Sequence, residues 1–469
     1  MIQQAAQFLE SLLFIKVFGF PFIVLWLAGI GIFMTVKLRF INITLLGHAF
    51  ALITGKFKTE KELSGGSKNE IVSPIGAFMS SLAATIGLGN IAGTAIAITL
   101  GGPGAILWMV IFGFFGMTVK CAEVFLGHKY RIIGKDGQIS GGGFYYLDIG
   151  LKECGFPKLG KILAYSFAIF AIIGTAGVGG FQANQIVAMA MGGVDLARGL
   201  DHNNLVGIII SACLATLILY ILLGGIKRLA KFAETLVPFK ITLYIGCVLI
   251  VLAFQYHNII PAIKTICHDA FDFSSGFAGF VGVLVVGARR AVFACEAGQG
   301  TAPIVNANSS LKKSEQQGII NLLDPAICTW FVCFLTGLCI VSTGVYQTSS
   351  ADGILLTRQA FNTVSPWLGY ILTACAFVYA FTTAMTDSYY CEKSVMYIFK
   401  NVKRWMIISL YALFIFIAGI VNLHTIVAFA DLFVLLMTIP NVIGMYFMSG
   451  KIAASFKKYT KDLKIQKNA

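Results

Sequence analysis

Apolar runs of roughly 20 residues, separated by short polar stretches, recur along almost the whole chain. That is the length a helix needs to cross a bilayer. Eleven such runs can be counted, near 11–36, 74–100, 104–130, 161–188, 204–224, 234–254, 275–300, 322–345, 367–391, 405–421 and 425–449. Two of them, in corresponding positions of two chain halves, are interrupted by glycine. The first holds GLGNIAG within 83–104 and the second GARRAVFACEAGQGTAP within 282–303. Lipid cannot satisfy the backbone N–H and C=O groups that a broken helix exposes, so such breaks face a ligand, an ion or a water-filled cavity. Paired breaks predict a secondary transporter with its site near the midplane.

The first run follows MIQQAAQFLE, which is nearly neutral, and is expected to be a retained accessory helix, not a removed signal. The other ten divide as five plus five, each five opening with a broken helix that crosses in the opposite direction. The expected organisation is an accessory helix in 1–36, an amphipathic and polar linker segment in 37–73, halves at 74–254 and 275–449, and a basic tail at 450–469. Within the linker segment, Asn42–Phe57 is amphipathic and suited to the membrane surface.

Composition agrees: 57% of the 469 residues are hydrophobic and 12% charged, against about 25% charged in soluble chains, which leaves no room for a soluble domain. The net charge of +14 is read as orientation, not nucleic-acid binding. With alternate loops on opposite sides, 30 Lys and Arg fall at 37–70, 120–161, 227–231, 289–313, 393–404 and after 450, and three fall on the other side. The basic side is the cytoplasmic one, so the N-terminus is expected outside and the C-terminus inside. Eleven cysteines without a C-x-x-C are expected to be buried small hydrophobes. Six scattered histidines, with no H-E-x-x-H, P-loop or G-x-S-x-G, argue against an enzyme. No cofactor or resident metal is expected beyond a coupling cation. A channel or sensor on the same fold remains a competing class, distinguished by failing to accumulate its ligand.

The break at GLGN has a direct chemical reading. Gly87 and Gly89 remove the Cβ cost of non-helical backbone. Donors around Leu88, Gly89 and Asn90 then start an outer half-helix whose positive dipole end suits a carboxylate. Carbonyls from Ala83 to Ile86 end an inner half-helix and suit a cation. A zwitterion and Na⁺ match this pair, while a face of small residues for helix packing is the competing explanation.

The strings GLGNIAGTAIAITLGGPGAILWM, GGIKRLAKFAETLVPF at 224–239, RRAVFACEAGQGTAPI at 289–304 and DLFVLLMTIPN at 431–441, with FTTAMTDSYYCEK at 381–393 as a looser match, resemble the alanine/glycine:cation symporter family, in order along the chain. The resemblance implies an all-α membrane protein of the leucine-transporter fold: eleven transmembrane helices, one accessory and ten in a 5+5 inverted repeat with two broken helices. It implies import of a small amino acid across the cytoplasmic membrane with Na⁺. Residue by residue it implies that Asn90 faces substrate, that Leu88 and Gly89 offer N–H groups to its carboxylate, and that Gln182 stands beside it. It places Gly287 near the second break in the same pocket. It assigns the carbonyls of Ala83 and Ile86 and the hydroxyls of Thr382 and Thr383 to a Na⁺ site.

Two departures matter. Lys240, in LVPFK, stands where the family commonly has Met. A mid-bilayer lysine costs roughly 2.5–3.5 kcal/mol on insertion scales. Either its ammonium takes the Na⁺ position, which makes transport proton-coupled or ion-independent, or it snorkels toward the cytoplasm. Asp387 stands where the family tends to have an aromatic residue. It either pairs with Lys240, faces the pocket and favours a substrate with a second positive charge, or lines a wet vestibule. Arg289 and Arg290 are placed beyond the second break, as a topology anchor and a gate contact with Glu296. Asp324 and Asp431 are read as charges at helix ends.

Overall fold

The computed structural model describes residues 15–17, 19–56, 70–134, 137–190, 205–274, 276–420 and 423–468. Among these, nine helices are long and apolar enough to cross a membrane, and two shorter apolar helices, Phe22–Lys37 and Arg404–Ala418, accompany them. Each overlaps one of the apolar runs, and nine of them reach the length of a membrane span. The chain is a multi-pass membrane protein. Large apolar side chains such as Leu249, Phe254, Leu410 and Leu413 point outward, as a lipid-facing surface requires.

Local chemistry sets the ends. Ser73 accepts a hydrogen bond from Gly76 N–H at 2.8 Å, and Pro74 occupies the first helical position, so Pro74–Thr85 starts with a cap and a preset φ. Ser365 and Pro366 repeat the device before Pro366–Ile398. Helix Phe334–Thr343 stops at Gly344, whose φ of 72° lies in the left-handed region. Pro157–Ala190 packs against both Pro366–Ile398 and Leu423–Asn468, while Gly225–Phe254 packs on Pro74–Thr85 and Pro366–Ile398. Gly276–Cys295 packs on Leu88–Gly101 and Ala302–Asn306 on Pro74–Thr85, so the two broken segments lie face to face.

Several expected boundaries shift. Phe22–Lys37 begins after a short hairpin pairing Lys16–Val17 with Phe20–Pro21, not at residue 11. The amphipathic stretch forms two short helices, Ile41–Thr44 and Leu46–Ile53; the polar linker at 57–69 lies outside the described residues. The connection after 254 is a helix, Tyr256–Ala270. A second unforeseen helix is Ile354–Asn362. The basic tail is not a separate element, since helix Leu423–Asn468 runs through it. Its lysines are compatible with helix, and no Gly–Pro signal interrupts the run after 450.

Candidate functional site

The first break is two residues long. Helix Pro74–Thr85 ends at Ile86 and helix Leu88–Gly101 starts after Gly87. Gly87 N–H donates to the Asn90 side-chain oxygen at 3.1 Å, and Leu88 N–H donates to Gln182 Oε1 at 2.9 Å. The exposed donors of the half-helix are thus met by two side-chain amides. The glycines here are required by close approach. A Cβ on Gly87 would stand 2.5 Å from Thr383 Oγ1, and one on Gly89 2.8 Å from the Phe293 ring.

The carbonyl end of the same break meets a lysine. Lys240 is fully buried. Its Nζ donates to Ile86 O at 2.6 Å and to Thr382 Oγ1 at 2.5 Å. Thr382 in turn donates to backbone one turn below, at Val378 O, so its lone pairs face the ammonium. Thr383 Oγ1 donates to Ala83 O at 2.9 Å. The Tyr379 ring lies 4.8 Å from the ammonium, a cation–π distance. Ala83, Ile86, Thr382, Thr383 and Lys240 are therefore brought together. The snorkelling alternative fails, because the ammonium points at the first break and not along its own helix toward the membrane surface. The expected pair with Asp387 is also absent: Lys240 contacts a carbonyl, a hydroxyl and a ring, while Asp387 Oδ2 is buried with no hydrogen-bond partner among the described residues.

The second break lies later than expected. Helix Gly276–Cys295 continues through Gly287 and ends at Cys295. Non-helical backbone runs from 296 to 301, before Ala302–Asn306. Glu296 has φ 52°, and Gly298 and Gly300 have φ 90° and 74°. Gly287 is a packing glycine: a Cβ there would meet Trp108 Cβ at 2.5 Å and Ala105 O at 2.7 Å. Glycine alone misplaced the break, since small residues in membrane helices also serve close helix approach.

Side chains from distant helices hold this longer opening. Lys120 Nζ donates to Cys295 O at 3.0 Å and lies 3.3 Å from Asp324 and 3.8 Å from Glu296. Asp324 accepts from Thr85 Oγ1 and Ser81 Oγ at 3.1 and 3.3 Å. Glu123 accepts from Gly300 N–H at 3.1 Å and from Asn441, which donates to Gly298 O at 2.8 Å; Tyr146 donates to Asn441. Lys120 had been counted among cytoplasmic loop charges, and Asp324 among helix-end charges. Both are fully buried in the bundle. The missed signal was a lysine and a glutamate three residues apart inside an apolar run, since ionisable residues at membrane depth mark sites.

Between the breaks lies a closed cavity. Its lining comes from Ala84, Thr85, Gly87 and Gly89, from Thr175, Val178 and Gln182, from Phe293, Glu296, Gln299 and Thr301, and from Asp387 and Met437. The space left is about 10 Å³, room for one water. Gln182, Gly87, Gly89 and Asp387 thus share one wall system. Leu88 is not a lining residue, and its N–H reaches the wall only through Gln182 Oε1. Asn90 does not line it: its oxygen caps Gly87 and its Nδ2 donates to Ala294 O at 3.2 Å, tying the first break to the helix before the second. Glu296 faces the cavity and accepts from Thr301 Oγ1 at 2.9 Å.

Arg289 and Arg290 precede the second break, in helix Gly276–Cys295, and do not lie beyond it. Arg290 forms a buried ion pair with Asp431, and Arg289 lies 3.6 Å from the same carboxylate. Asp431 is therefore a buried partner and not an interfacial charge. Gly179 makes room for Tyr411, whose hydroxyl would be 2.1 Å from a Cβ there.

Two backbone breaks around one small polar cavity are matched by sequence comparison along the entire chain. The model of the sodium:alanine symporter family covers residues 2–469. The chain belongs to the sodium:alanine symporter family. A relative named sodium/alanine symporter AgcS, from Methanococcus maripaludis, is 36% identical over 454 residues, covering 96% of this chain and 95% of that relative. A putative sodium/proton-dependent alanine carrier protein, YrbD from Bacillus subtilis, is 32% identical over 402 residues, covering 82% and 78%. The crystal structure of MhsT in complex with L-phenylalanine superposes with a TM-score of 0.54 at 17% identity, covering 78% of this chain and 87% of that one. That neighbour shows a leucine-transporter-like fold.

Proposed function

We propose that this member of the sodium:alanine symporter family carries a small amino acid across the cytoplasmic membrane, and that the Lys240 ammonium replaces a bound Na⁺. Transport is then proton-coupled or ion-independent. The observation that carries this reading is the pair of contacts from Lys240 Nζ to Ile86 O and Thr382 Oγ1, at 2.6 and 2.5 Å. A carbonyl at the end of a half-helix beside a hydroxyl is a hard-oxygen cation site, and a lysine tip places a full positive charge in it without an ion. Loss of the proton from Lys240 removes that charge and loosens the inner half-helix from helix Pro366–Ile398, leaving the Thr383–Ala83 bond between them.

The substrate carboxylate takes Leu88 N–H and Gly89 N–H, displacing Gln182 Oε1 from the first. The Asp387 carboxylate faces the cavity and favours a ligand bearing a second positive charge. Because the closed cavity has room for about one water, the walls move apart for any amino acid to enter. Halves 74–254 and 275–449 are read as inverted repeats around this site, with the N-terminus outside and the C-terminus in the cytoplasm. The support is that each half opens with a broken helix and that both breaks face the same cavity.

Uptake of a labelled amino-acid panel into vesicles holding the purified chain, under separate H⁺ and Na⁺ gradients, tests the reading. Accumulation driven by a proton gradient, or exchange needing neither ion, is expected. Strict Na⁺ dependence with no response to the proton gradient removes it and restores Na⁺ symport.

A further inference from the structure

A groove of about 500 Å³ lies between the corner after helix Phe22–Lys37 and the last turns of helix Leu423–Asn468. It shares no residue with the closed cavity. Its floor is apolar, with Ile41, Phe456 and Leu463 buried. Its rim carries four exposed cations, Lys37, Arg39, Lys457 and Lys464, and no acidic residue lines it. None of the four forms an ion pair among the described residues.

The groove is held in shape from both sides. Arg39 and Phe40, at φ 58° and 55°, sit in the left-handed region that non-glycine residues seldom adopt, and this turns the chain sharply off the membrane helix. Asn42 Nδ2 donates to Phe114 O at 3.1 Å, and His48 and Tyr459 share a hydrogen bond of 2.7 Å that ties the following helix to Leu423–Asn468. Four like charges gathered at one rim repel one another unless an anion sits between them. An apolar floor directly beside that rim, at the end of a membrane-length helix, matches a molecule with a phosphate at one end and hydrocarbon at the other.

We propose that this groove binds one anionic glycerophospholipid, its phosphate between the four cations and an acyl chain along Ile41, Phe456 and Leu463. Free phosphate satisfies the rim and leaves the floor unused, and a zwitterionic lipid brings its own cation to the rim.

The full chain is placed in phosphatidylcholine nanodiscs with rising fractions of phosphatidylglycerol, and retained lipid is counted by native mass spectrometry beside the melting temperature. One retained phosphatidylglycerol and a saturable rise in melting temperature are expected. The variant K37Q/R39Q/K457Q/K464Q should weaken retention by roughly tenfold or more. The variant K158Q/K161Q/K400Q/K403Q removes equal charge from other exposed positions and should retain the lipid. Equal loss in both variants would mean diffuse surface attraction and overturn the site, as would no loss in either. A rise in melting temperature from inorganic phosphate alone would reassign the groove to a free anion. A groove variant already destabilised in pure phosphatidylcholine would overturn it in favour of an occupant from within the chain.

Discussion

The two breaks solve the same problem by opposite means. At 86–87 the gap is short and its exposed groups are met by single side-chain tips: Gln182 on a donor, Lys240 on an acceptor. At 296–301 the gap is longer, and a network of buried charges and amides from Lys120, Glu123, Asp324 and Asn441 locks it. A single tip can be displaced by a ligand carrying the same chemistry. A network with shared counter-charges resists removal of any member. The first break is thus arranged for exchange and the second for support, with Asp387 and Glu296 facing the space between.

The contrast is broken most severely at Lys120. Replacing it by Met leaves Asp324 and Glu296 buried without their cation, and should cost about 3–5 kcal/mol of stability, seen as lost yield and a lower melting temperature. Adding D324N should recover part of that loss, since the partners share one network. K240M should leave folding intact, because the ammonium there has no buried counter-charge to strand. It should lower proton-driven uptake by roughly 100-fold, about 2.7 kcal/mol. An equally large fall in melting temperature would erase the distinction between the breaks.

Asp387→Asn sharpens the space between them. It should weaken substrates with a second amino group by about 2 kcal/mol or more relative to neutral ones, read in competition uptake. Because Asp387 does not touch Lys240, its loss and that of K240M should add; strong coupling in the double variant would contradict the geometry. Gly89→Ala forces a Cβ toward Phe293 and should cost about 1–3 kcal/mol in closing the cavity, measured as reduced uptake at normal surface expression. Gln182→Ala has the smallest expected effect, about 1 kcal/mol, through the unmade bond to Leu88 N–H, and should appear as a modest change in apparent substrate affinity.

Hydrophobic periodicity made the membrane helices legible, because each must satisfy lipid independently of its neighbours. The first break was legible for the same reason: GLGN interrupts an apolar run with residues that a lipid-facing helix gains nothing from. The second was displaced because Gly287 looks like a breaker in one dimension and is a contact with Trp108 in three. The cluster around Lys120 stayed hidden since a lysine and a glutamate near the end of an apolar run read equally as a loop. Lys240 was visible as chemistry, and its two alternatives separate only when the reach of its side chain to Ile86 is known. Helices Tyr256–Ala270 and Ile354–Asn362 escaped because polar residues interrupt their apolar runs, their amphipathic faces being defined by what they lie against.

The ion pair of Arg290 with Asp431 carries one more implication. Three residues after Arg290 comes Phe293, and six after Asp431 comes Met437, both of which line the closed cavity. Each helix therefore bears one half of a latch and one panel of the chamber it shuts. If these helices swing apart, unfastening and uncovering become a single movement, and water reaches the chamber by the same act that hydrates the separated charges.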